Sequence, residues 1–454
     1  LNQDIIIAKF GGTSMADAQA ISQSAKVAAF NGVAMIVVSA TSGTTNRLIE
    51  LAEAVLEPRP DEAARITREI IAGHQQIAEE LDADEAILTD LSKIFKEIEL
   101  IAAEPNPDSD RYPQLVDHVL GFGEQLSSNL MIAAMNQNNA DVELIDAREI
   151  IKTDGHFGQA TPLVEEIRAK ASEILKPKLD QGKVLVTQGF IGSAPDGAMT
   201  TLGRGGSDYS AALLAEALDA TKLQIWTDVS GITSADPRIV QHAKQIEQMT
   251  FQEASELATA GAKILYPRTV TPLRRANIPL YVGNTFEPEA GGTTVSNLAS
   301  HQPLVRAIAL KTNQSILTLK NPEMAYQFGY LAKVFGVFAK FKVSIDQIST
   351  SEISIAVALE DRTVLNEDLI NELKSLGEVK IEKGLSVISL IGNDVNNAPG
   401  LAQDIFGNLE DEDGDGKISV RMICQGASRH NFCFLVADTH GLTMVRKLHQ
   451  ALIE

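Results

Sequence analysis

The sequence predicts an α/β protein in two styles: a three-layer αβα domain over residues 1–295, then two ferredoxin-like βαββαβ units over 303–384 and 385–454. Three observations predict it. Strand and helix patterns alternate through the first 295 residues, and several strand candidates are near-continuous Val/Ile/Leu runs, as parallel strands covered on both faces require. The stretch EPEAGGT at 287–293 reads as a linker, after which the elements become short. From residue 303 one series of short strands and helices is followed by a second, similar one.

In the first domain, strands are expected at 4–10, 33–39, 142–145, 184–190, 222–229 and 278–283. Helices are expected at 16–30, 45–56, 61–81, 84–103, 119–136, 163–175 and 251–260, with another opening directly from the glycine turn at 203–206. Ligands in such sheets sit at the carboxyl ends of strands, where Lys9, Ser39, Arg204 and Asp228 fall. The first small unit shows strands at 315–319, 345–349 and 353–359 and helices at 329–341 and 366–375. The second shows strands at 385–391, 420–424 and 431–436 and a helix at 400–409. The first strand of the one unit is a candidate to pair into the other. Neither unit carries an evident catalytic cluster, so both read as small-ligand or interaction modules.

Composition narrows the function classes. The 454 residues and 44% apolar content suffice for sizeable cores, with about three domains as the prior. Lys plus Arg number 39 and Asp plus Glu 60, a net charge of −21 that argues against nucleic acid or an anionic membrane as partner. A locally basic site for an anionic metabolite is unaffected. Cys424 and Cys433 are too few for a secreted disulfide framework and lack metal-ligand spacing. No apolar run approaches the roughly 18 residues of a membrane span, and no cationic leader-like segment is seen. A cytoplasmic protein is expected.

The chemistry concentrates in glycine turns at helix starts. In TLGRGGSDYSAALLAEAL (201–218), a strand ending near Phe190 is expected to feed the turn Gly203-Arg204-Gly205-Gly206-Ser207-Asp208. Glycines there allow close backbone approach, helix amides attract anions, and the Arg204 fork suits a carboxylate or phosphate. At the other end of the chain, Lys9 precedes Gly11-Gly12-Thr13-Ser14, the amide-plus-ammonium combination that phosphates need. Either turn alone is also compatible with an ordinary βα connection. The absence of G-x-x-x-x-G-K-[ST], of G-x-G-x-x-G after a strand, and of a G-x-S-x-G elbow excludes a P-loop and disfavours a dinucleotide fold or serine-hydrolase site. The eight histidines are scattered, and no metal pattern is found. What remains fits phosphoryl transfer by positioning and electrostatics.

Further candidates have plain structural alternatives. VVSATSGTTN (37–46) is a hydroxyl-lined turn that also reads as a capped helix start with Thr44 or Thr45 near the cap. Asp228 and Arg238 would suit ribose and phosphates, or belong to solvated turns. Lys263, after Gly261 at a helix end, has a surface alternative. Glu124 is expected at a helix start beside the glycines Gly121 and Gly123, where its charge favours the dipole.

Together these segments resemble the aspartate kinases of the amino-acid kinase superfamily. The resemblance rests on KFGGTS (9–14), VVSATSGTTN (37–46), GFGEQLSS (121–128), TQGFIGS (187–193), TLGRGGSDYSAALLAEAL, WTDVSGITSADPR (226–238) and GAKILYP (261–267), in family order across the first domain. The C-terminal half resembles paired ACT domains, and residues 328–357 and 420–436 look closest to the lysine-sensitive, monofunctional branch. The resemblance implies that ATP and L-aspartate give 4-phospho-L-aspartate and ADP with Mg2+, the first step toward lysine, threonine and methionine. It implies that Lys9, with Gly11 and Gly12, stabilises the transferring phosphoryl group, and that Asp208 organises the reacting groups through Lys9. Arg204 would pair with the α-carboxylate of aspartate and Glu124 with its α-amino group, helped by Ser39, Thr45 and Ser207. Thr227, Asp228, Thr233, Arg238 and Lys263 match the nucleotide side.

For L-lysine as inhibitor, the matching residues are Met324, Gly329, Tyr330, Leu331, Ser344, Ile345, Asp346, Thr350, Ser351 and Glu352. Such pockets form between ACT domains of two chains, so a homo-oligomer, dimer or tetramer, is implied. Thr233 stands where the family often has tyrosine, and Tyr266 where histidine is usual. The acidic stretch 410–418 copies the first half of an EF-hand loop but has Met422 at the twelfth position, so a solvated turn is favoured over a calcium site. Two other readings stay open: a kinase of glutamate, N-acetylglutamate or carbamate, and a non-catalytic amino-acid sensor on the same fold.

Overall fold

The computed structural model describes residues 4–103, 112–138, 140–262, 265–298, 303–360, 366–407 and 417–454. They form two compact units that do not divide at a single point in the chain. The first comprises Leu1–Ile232, Glu247–Phe251 and Ile264–Ala299, the second Thr233–Ile246, Gln252–Lys263 and Ser300–Glu454. Of the acidic stretch, 410–416 lies outside the described residues. No helix among the described residues is long and apolar enough to cross a membrane.

The first unit carries strands β1 (Ile6–Phe10), β2 (Met35–Val38), β3 (Val142–Ile145), β4 (Val184–Gln188), β5 (Ile191–Ser193), β6 (Met199–Thr201), β7 (Lys222–Thr227), β8 (Gln248–Thr250), β9 (Leu280–Asn284) and β10 (Gly292–Ser296). Its helices are α1 (Ala18–Phe30), α2 (Thr44–Leu56), α3 (Pro60–Glu80), α4 (Glu85–Ala102), α5 (Tyr112–Gln137), the short α6 (Ala147–Ile150), α7 (Val164–Lys170) and α8 (Lys176–Asp180), and α9 (Gly206–Ala217). Next, α10 (Phe251–Thr259) begins here and continues into the second unit, and α11 (Pro267–Ala276) completes the set. One sheet runs β3-β4-β2-β1-β7-β9-β10-β8, parallel except at the β9–β10 pair. Its middle strands are buried along most of their length, which is why they read as unbroken apolar runs. The register sets Lys9 between Val37 on one side and Ile225 on the other.

Four expectations are corrected here. Glu124 lies in the interior of α5, not at a helix start, because helical residues extend back to Tyr112. The strand ending at Gln188 does not lead straight into the glycine turn; the β5–β6 hairpin intervenes. The stretch 287–293 is only partly a linker, since a 3-10 turn at Pro288–Ala290 leads into β10, which pairs antiparallel with β9. Its glycines and threonines hid a short strand. The helix expected at 163–175 passes through a π-helical turn at Ala171–Leu175, just before Pro177, which cannot donate a backbone hydrogen bond.

The second unit holds β11 (Ala307–Lys320), α12 (Tyr330–Lys340), β12 (Gln347–Thr350), β13 (Ser354–Leu359), α13 (Glu367–Lys374), β14 (Glu378–Ile391), α14 (Leu401–Gly407), β15 (Met422–Cys424), β16 (Asn431–Ala437) and α15 (Asp438–Leu452). They form a sheet in the order β12-β13-β11-β14-β16-β15, antiparallel throughout. Strands β11 and β14 are each longer than the sequence pattern indicated and pair twice. Ala307–Lys311 opposes Val387–Ile391, and Ser315–Lys320 opposes Glu378–Lys383, with the register shift around Gln314. Positive φ at Asn313 (59°) and Gly384 (75°) accommodates that irregularity. Three apolar clusters form among the described residues of this unit: one around Tyr330, Phe338 and Leu369, one around Phe432, Phe434 and Met444, and a smaller one around Val387, Met422 and Leu435. Segment Thr233–Ile246 joins this unit through Ser234, whose carbonyl accepts from the Ile308 amide (2.7 Å) and whose hydroxyl bonds the buried His449 ring (2.8 Å).

Candidate active site

The glycine turn after β1 and the start of α9 meet at Lys9, with Glu124 of α5 beside them. The Lys9 side chain leaves β1 near the carboxyl end, and its Nζ meets Asp208 Oδ1 at 2.6 Å. Asp208 sits in the first turn of α9, where the helix dipole also favours its charge. The Gly11 amide donates to the Trp226 carbonyl on β7 (3.0 Å), so the glycine turn closes directly over the strand ends. A side chain at Gly11 would stand 3.6 Å from the Lys9 ammonium. Glycine here keeps the space beside that charge open.

Glu124 is buried and reaches the same place from α5. Burial pushes its carboxyl up to about 8, against the pull of the Ala40 amide, the Lys9 charge and the Ser207 hydroxyl. Its neighbouring glycines, each costing roughly 1 kcal/mol of helix propensity, are there for packing. A Cβ on Gly121 would lie 2.1 Å from Met199 Sδ, and one on Gly123 would lie 2.7 Å from Ala40 Cβ. Likewise a Cβ on Gly189 would fall 2.6 Å from Ser207 Cβ, so α9 starts in contact with the end of β4. Ser39, half-buried, is held by its amide on the Phe10 carbonyl (3.1 Å), and Thr45 is exposed in the first turn of α2.

Neither threonine caps α2; Gly43, at φ 78°, holds that position. Instead Thr41 and Thr44 hydroxyls meet at 2.6 Å, and Thr41 meets His74 Nε2 at 3.1 Å. Burial holds His74 below its ordinary pKa, and its Nδ1 faces the Ile70 carbonyl at 2.7 Å. The neutral ring therefore donates from Nδ1 and accepts from Thr41, locking the start of α2 to α3.

Arg204 is exposed on its turn and makes no ion pair among the described residues. Gly205 beside it adopts φ 72°, and any Cβ there would collide with the Tyr266 ring at 2.2 Å. That contact gives Tyr266 a role: it packs over the turn. The sequence reading overlooked Asp117, which is fully buried and accepts hydrogen bonds from the Gly158 amide, the Thr201 amide and the Thr201 hydroxyl. The available signal was its spacing, two helical turns before Glu124 on one helix.

The nucleotide-side candidates are more dispersed. Thr227 ends β7 and its hydroxyl donates to the exposed Asp228 carboxylate (3.1 Å). Thr233 and Arg238 belong to the second unit; the Thr233 hydroxyl donates to the Ala235 carbonyl (2.7 Å), and the exposed Arg238 forks onto Asp236. Lys263 lies outside the described residues.

Among the effector candidates, Gly329 (φ 75°) caps α12, and Leu331 is exposed with Ser344, Thr350 and Glu352. Met324 lies in a 3-10 turn, and Ile345 and Asp346 precede β12 rather than lying in it. Two side chains have other partners. The Tyr330 hydroxyl donates to the Leu376 carbonyl (2.8 Å) and its ring is core, while the Ser351 hydroxyl bonds Ser354 (2.7 Å). Asp346 is ion-paired with Lys311 at 2.8 Å, and Lys311 also reaches Glu360 at 3.1 Å.

A glycine turn with a buried Lys–Asp pair, beside a second helix carrying a buried Glu, is the geometry of an enzyme that handles a charged, phosphorylated group. The profile of the amino acid kinase family matches residues 4–284, and that of an ACT domain matches 388–452. The lysine-sensitive aspartokinase 3 of Escherichia coli K12 is 40% identical over 459 residues, covering 99% of this chain and 100% of the relative. A crystal structure of E. coli aspartokinase III with aspartate and ADP, described as the R-state, matches with a TM-score of 0.87 over 99% of this chain and 100% of that one, at 40% identity. The T-state complex of the same enzyme with lysine and aspartate matches with a TM-score of 0.78 at 40% identity, covering 100% of both chains. The chain belongs to the amino acid kinase family, and within it to the aspartokinases.

Proposed function

We propose that this enzyme transfers the γ-phosphoryl group of ATP to the side-chain carboxylate of L-aspartate, giving 4-phospho-L-aspartate and ADP. The observation that carries the reading is the buried Lys9–Asp208 pair at the glycine turn, with Glu124 beside it. A carboxylate oxygen of the substrate attacks the γ-phosphorus while the β,γ-bridging oxygen leaves with ADP. No general base is needed, because the substrate carboxylate is already a nucleophile. Lys9 neutralises charge on the transferring group, with the amides of Gly11 and Gly12 as additional donors. Arg204 takes the α-carboxylate and Glu124 the α-ammonium, while Ser39, Thr45 and Ser207 add hydrogen bonds.

Thr227, Asp228, Thr233, Arg238 and Lys263 are assigned to the nucleotide. Mg2+ is read as a companion of the nucleotide phosphates, which would supply most of its ligands; Asp208 is already paired with Lys9. Bound to the phosphates, Mg2+ would neutralise their charge. Among the described residues no group of three or more His, Cys, Asp or Glu converges to hold a metal alone.

In the same reading L-lysine inhibits through the second unit, at the effector residues named above, and chains associate through their ACT domains as a dimer or tetramer in the cytoplasm. Support comes from a relative, 40% identical, whose structures contain aspartate with ADP or with lysine. A coupled ADP-release assay tests it. Turnover should require L-aspartate, should not be supported by glutamate, N-acetylglutamate or carbamate, and should fall on adding L-lysine. ADP release without aspartate dependence would refute the substrate, and absence of turnover would favour a non-catalytic sensor.

A further inference from the structure

We infer that Asp117 is a positioning residue that sets Arg204 at the correct separation from Glu124, and so governs recognition of the amino-acid substrate. The inference rests on the reading that Arg204 and Glu124 hold the two ends of the α-amino-acid group. Asp117 and Glu124 both lie on α5, seven residues apart. Seven residues are nearly two full turns, so both carboxylates project from one face, about 10 Å apart along the axis. One end of this face carries the proposed reader of the substrate ammonium. The other carries an anchor for the turn that bears Arg204.

The anchor has two arms. Asp117 accepts from the Thr201 amide (2.8 Å) and hydroxyl (2.8 Å), at the last residue of β6 and three residues before Arg204. It also accepts from the Gly158 amide, which is 3.0 and 2.9 Å from its two oxygens. Gly158 in turn supports the turn from beneath: its carbonyl would lie 3.1 Å from a Cβ at Gly203, the residue before Arg204. The Ala160 amide donates to the Thr201 carbonyl (2.9 Å), joining the two arms. A single carboxylate thus fixes the strand entering the turn and the loop under it.

The chemistry of the group matters. An ionised carboxylate only accepts, and all three groups that face Asp117 are donors. The amide of asparagine has nearly the same shape, but its NH2 would stand against the Gly158 N–H, which contacts both carboxylate oxygens, and the charge that strengthens all three bonds would be lost. Arg204, exposed and without an ion-pair partner among the described residues, has its place set by this backbone. Displacements of about 1 Å at such a clamp cost on the order of 100-fold in rate.

The test compares Asp117→Asn, Thr201→Val and Arg204→Ala in the full-length enzyme, with KM for aspartate, KM for ATP, kcat and thermal midpoint measured for each. Asp117→Asn should raise KM for aspartate about tenfold or more and leave KM for ATP within about twofold. Thr201→Val, which deletes one donor and keeps the backbone, should give a smaller shift of the same kind. If Asp117→Asn does not fold, Thr201→Val carries the test alone. An unchanged KM for aspartate in the folded variants, with Arg204→Ala strongly impaired, would overturn the positioning role and leave the substrate reading intact. Equal losses for aspartate and ATP would also overturn it, marking Asp117 as a general fold anchor. An Arg204→Ala enzyme with normal KM for aspartate would overturn the substrate reading, and this inference with it.

Discussion

Lys9 Nζ lies 2.6 Å from Asp208 Oδ1, and their side chains are only 11% and 8% exposed. The pair joins the carboxyl end of a central parallel strand to the amino end of α9. Breaking a buried pair by removing one partner leaves the other charge without compensation. Here the consequence should fall on chemistry, because Lys9 is assigned to the transferring phosphoryl group.

Lys9→Met should therefore lower kcat by about 100-fold or more while changing aspartate affinity little. Steady-state kinetics with titrated aspartate and ATP check this. Unchanged turnover would remove Lys9 from the mechanism.

Glu124 makes substrate binding and stability respond to pH in opposite senses. Its carboxyl is pushed from an ordinary 4.5 up to about 8 in the folded protein. Between those values the folded chain keeps a proton that the unfolded chain releases, so stability declines as pH rises across the window. Binding of the substrate ammonium requires the ionised form, so kcat/KM for aspartate should climb as pH approaches about 8. Glu124→Gln should abolish both dependences. Denaturant melts and kinetics across that range measure them, and identical profiles for the two enzymes would contradict the assignment.

Gly189→Ala should destabilise the first unit by about 1–3 kcal/mol, the usual cost of overpacking. The added Cβ would lie 2.8 Å from Ser207 Cα, a backbone atom that can give way only if α9 shifts. A lower thermal midpoint and a raised KM for aspartate should appear together, because Ser207 and Asp208 move with the helix. A midpoint equal to that of the wild type would show the close approach to be relaxed.

In the second unit, Asp346 already holds the Lys311 ammonium at 2.8 Å, and an effector amino group would have to compete with it. Asp346→Ala should raise the lysine concentration for half-inhibition at least about tenfold, equivalent to about 1.4 kcal/mol. Calorimetry with L-lysine should show the same loss of affinity. Undiminished lysine binding would place the effector elsewhere, and threonine inhibiting in its stead would reassign the effector.

The layered fold and the two glycine turns were legible because their signals are local. Continuous apolar strands such as Met35–Val38 and the run Gly203–Gly206 need no partner to be read. What was not legible depends on distant partners. Glu124 reads as a helix start because Gly121 and Gly123 just before it resemble a boundary, whereas those glycines answer to Met199 and Ala40 packed against them. The start of β10, Gly292 and Thr293, falls in the expected linker because its pairing with β9 cannot be seen in GGTTVS. The extra lengths of β11 and β14 were hidden by polar residues at the shift around Gln314. Asp117 looked like one more acidic residue until its donors, 41 and 84 positions away, closed around it.

The central claim, that the acceptor is the side-chain carboxylate of aspartate, is tested most directly by trapping the product with hydroxylamine during turnover. An acyl phosphate on that carboxylate gives the β-hydroxamate of L-aspartate in step with ADP, and this is the result expected. Formation of the α-hydroxamate, or ADP release with no hydroxamate, would contradict the account.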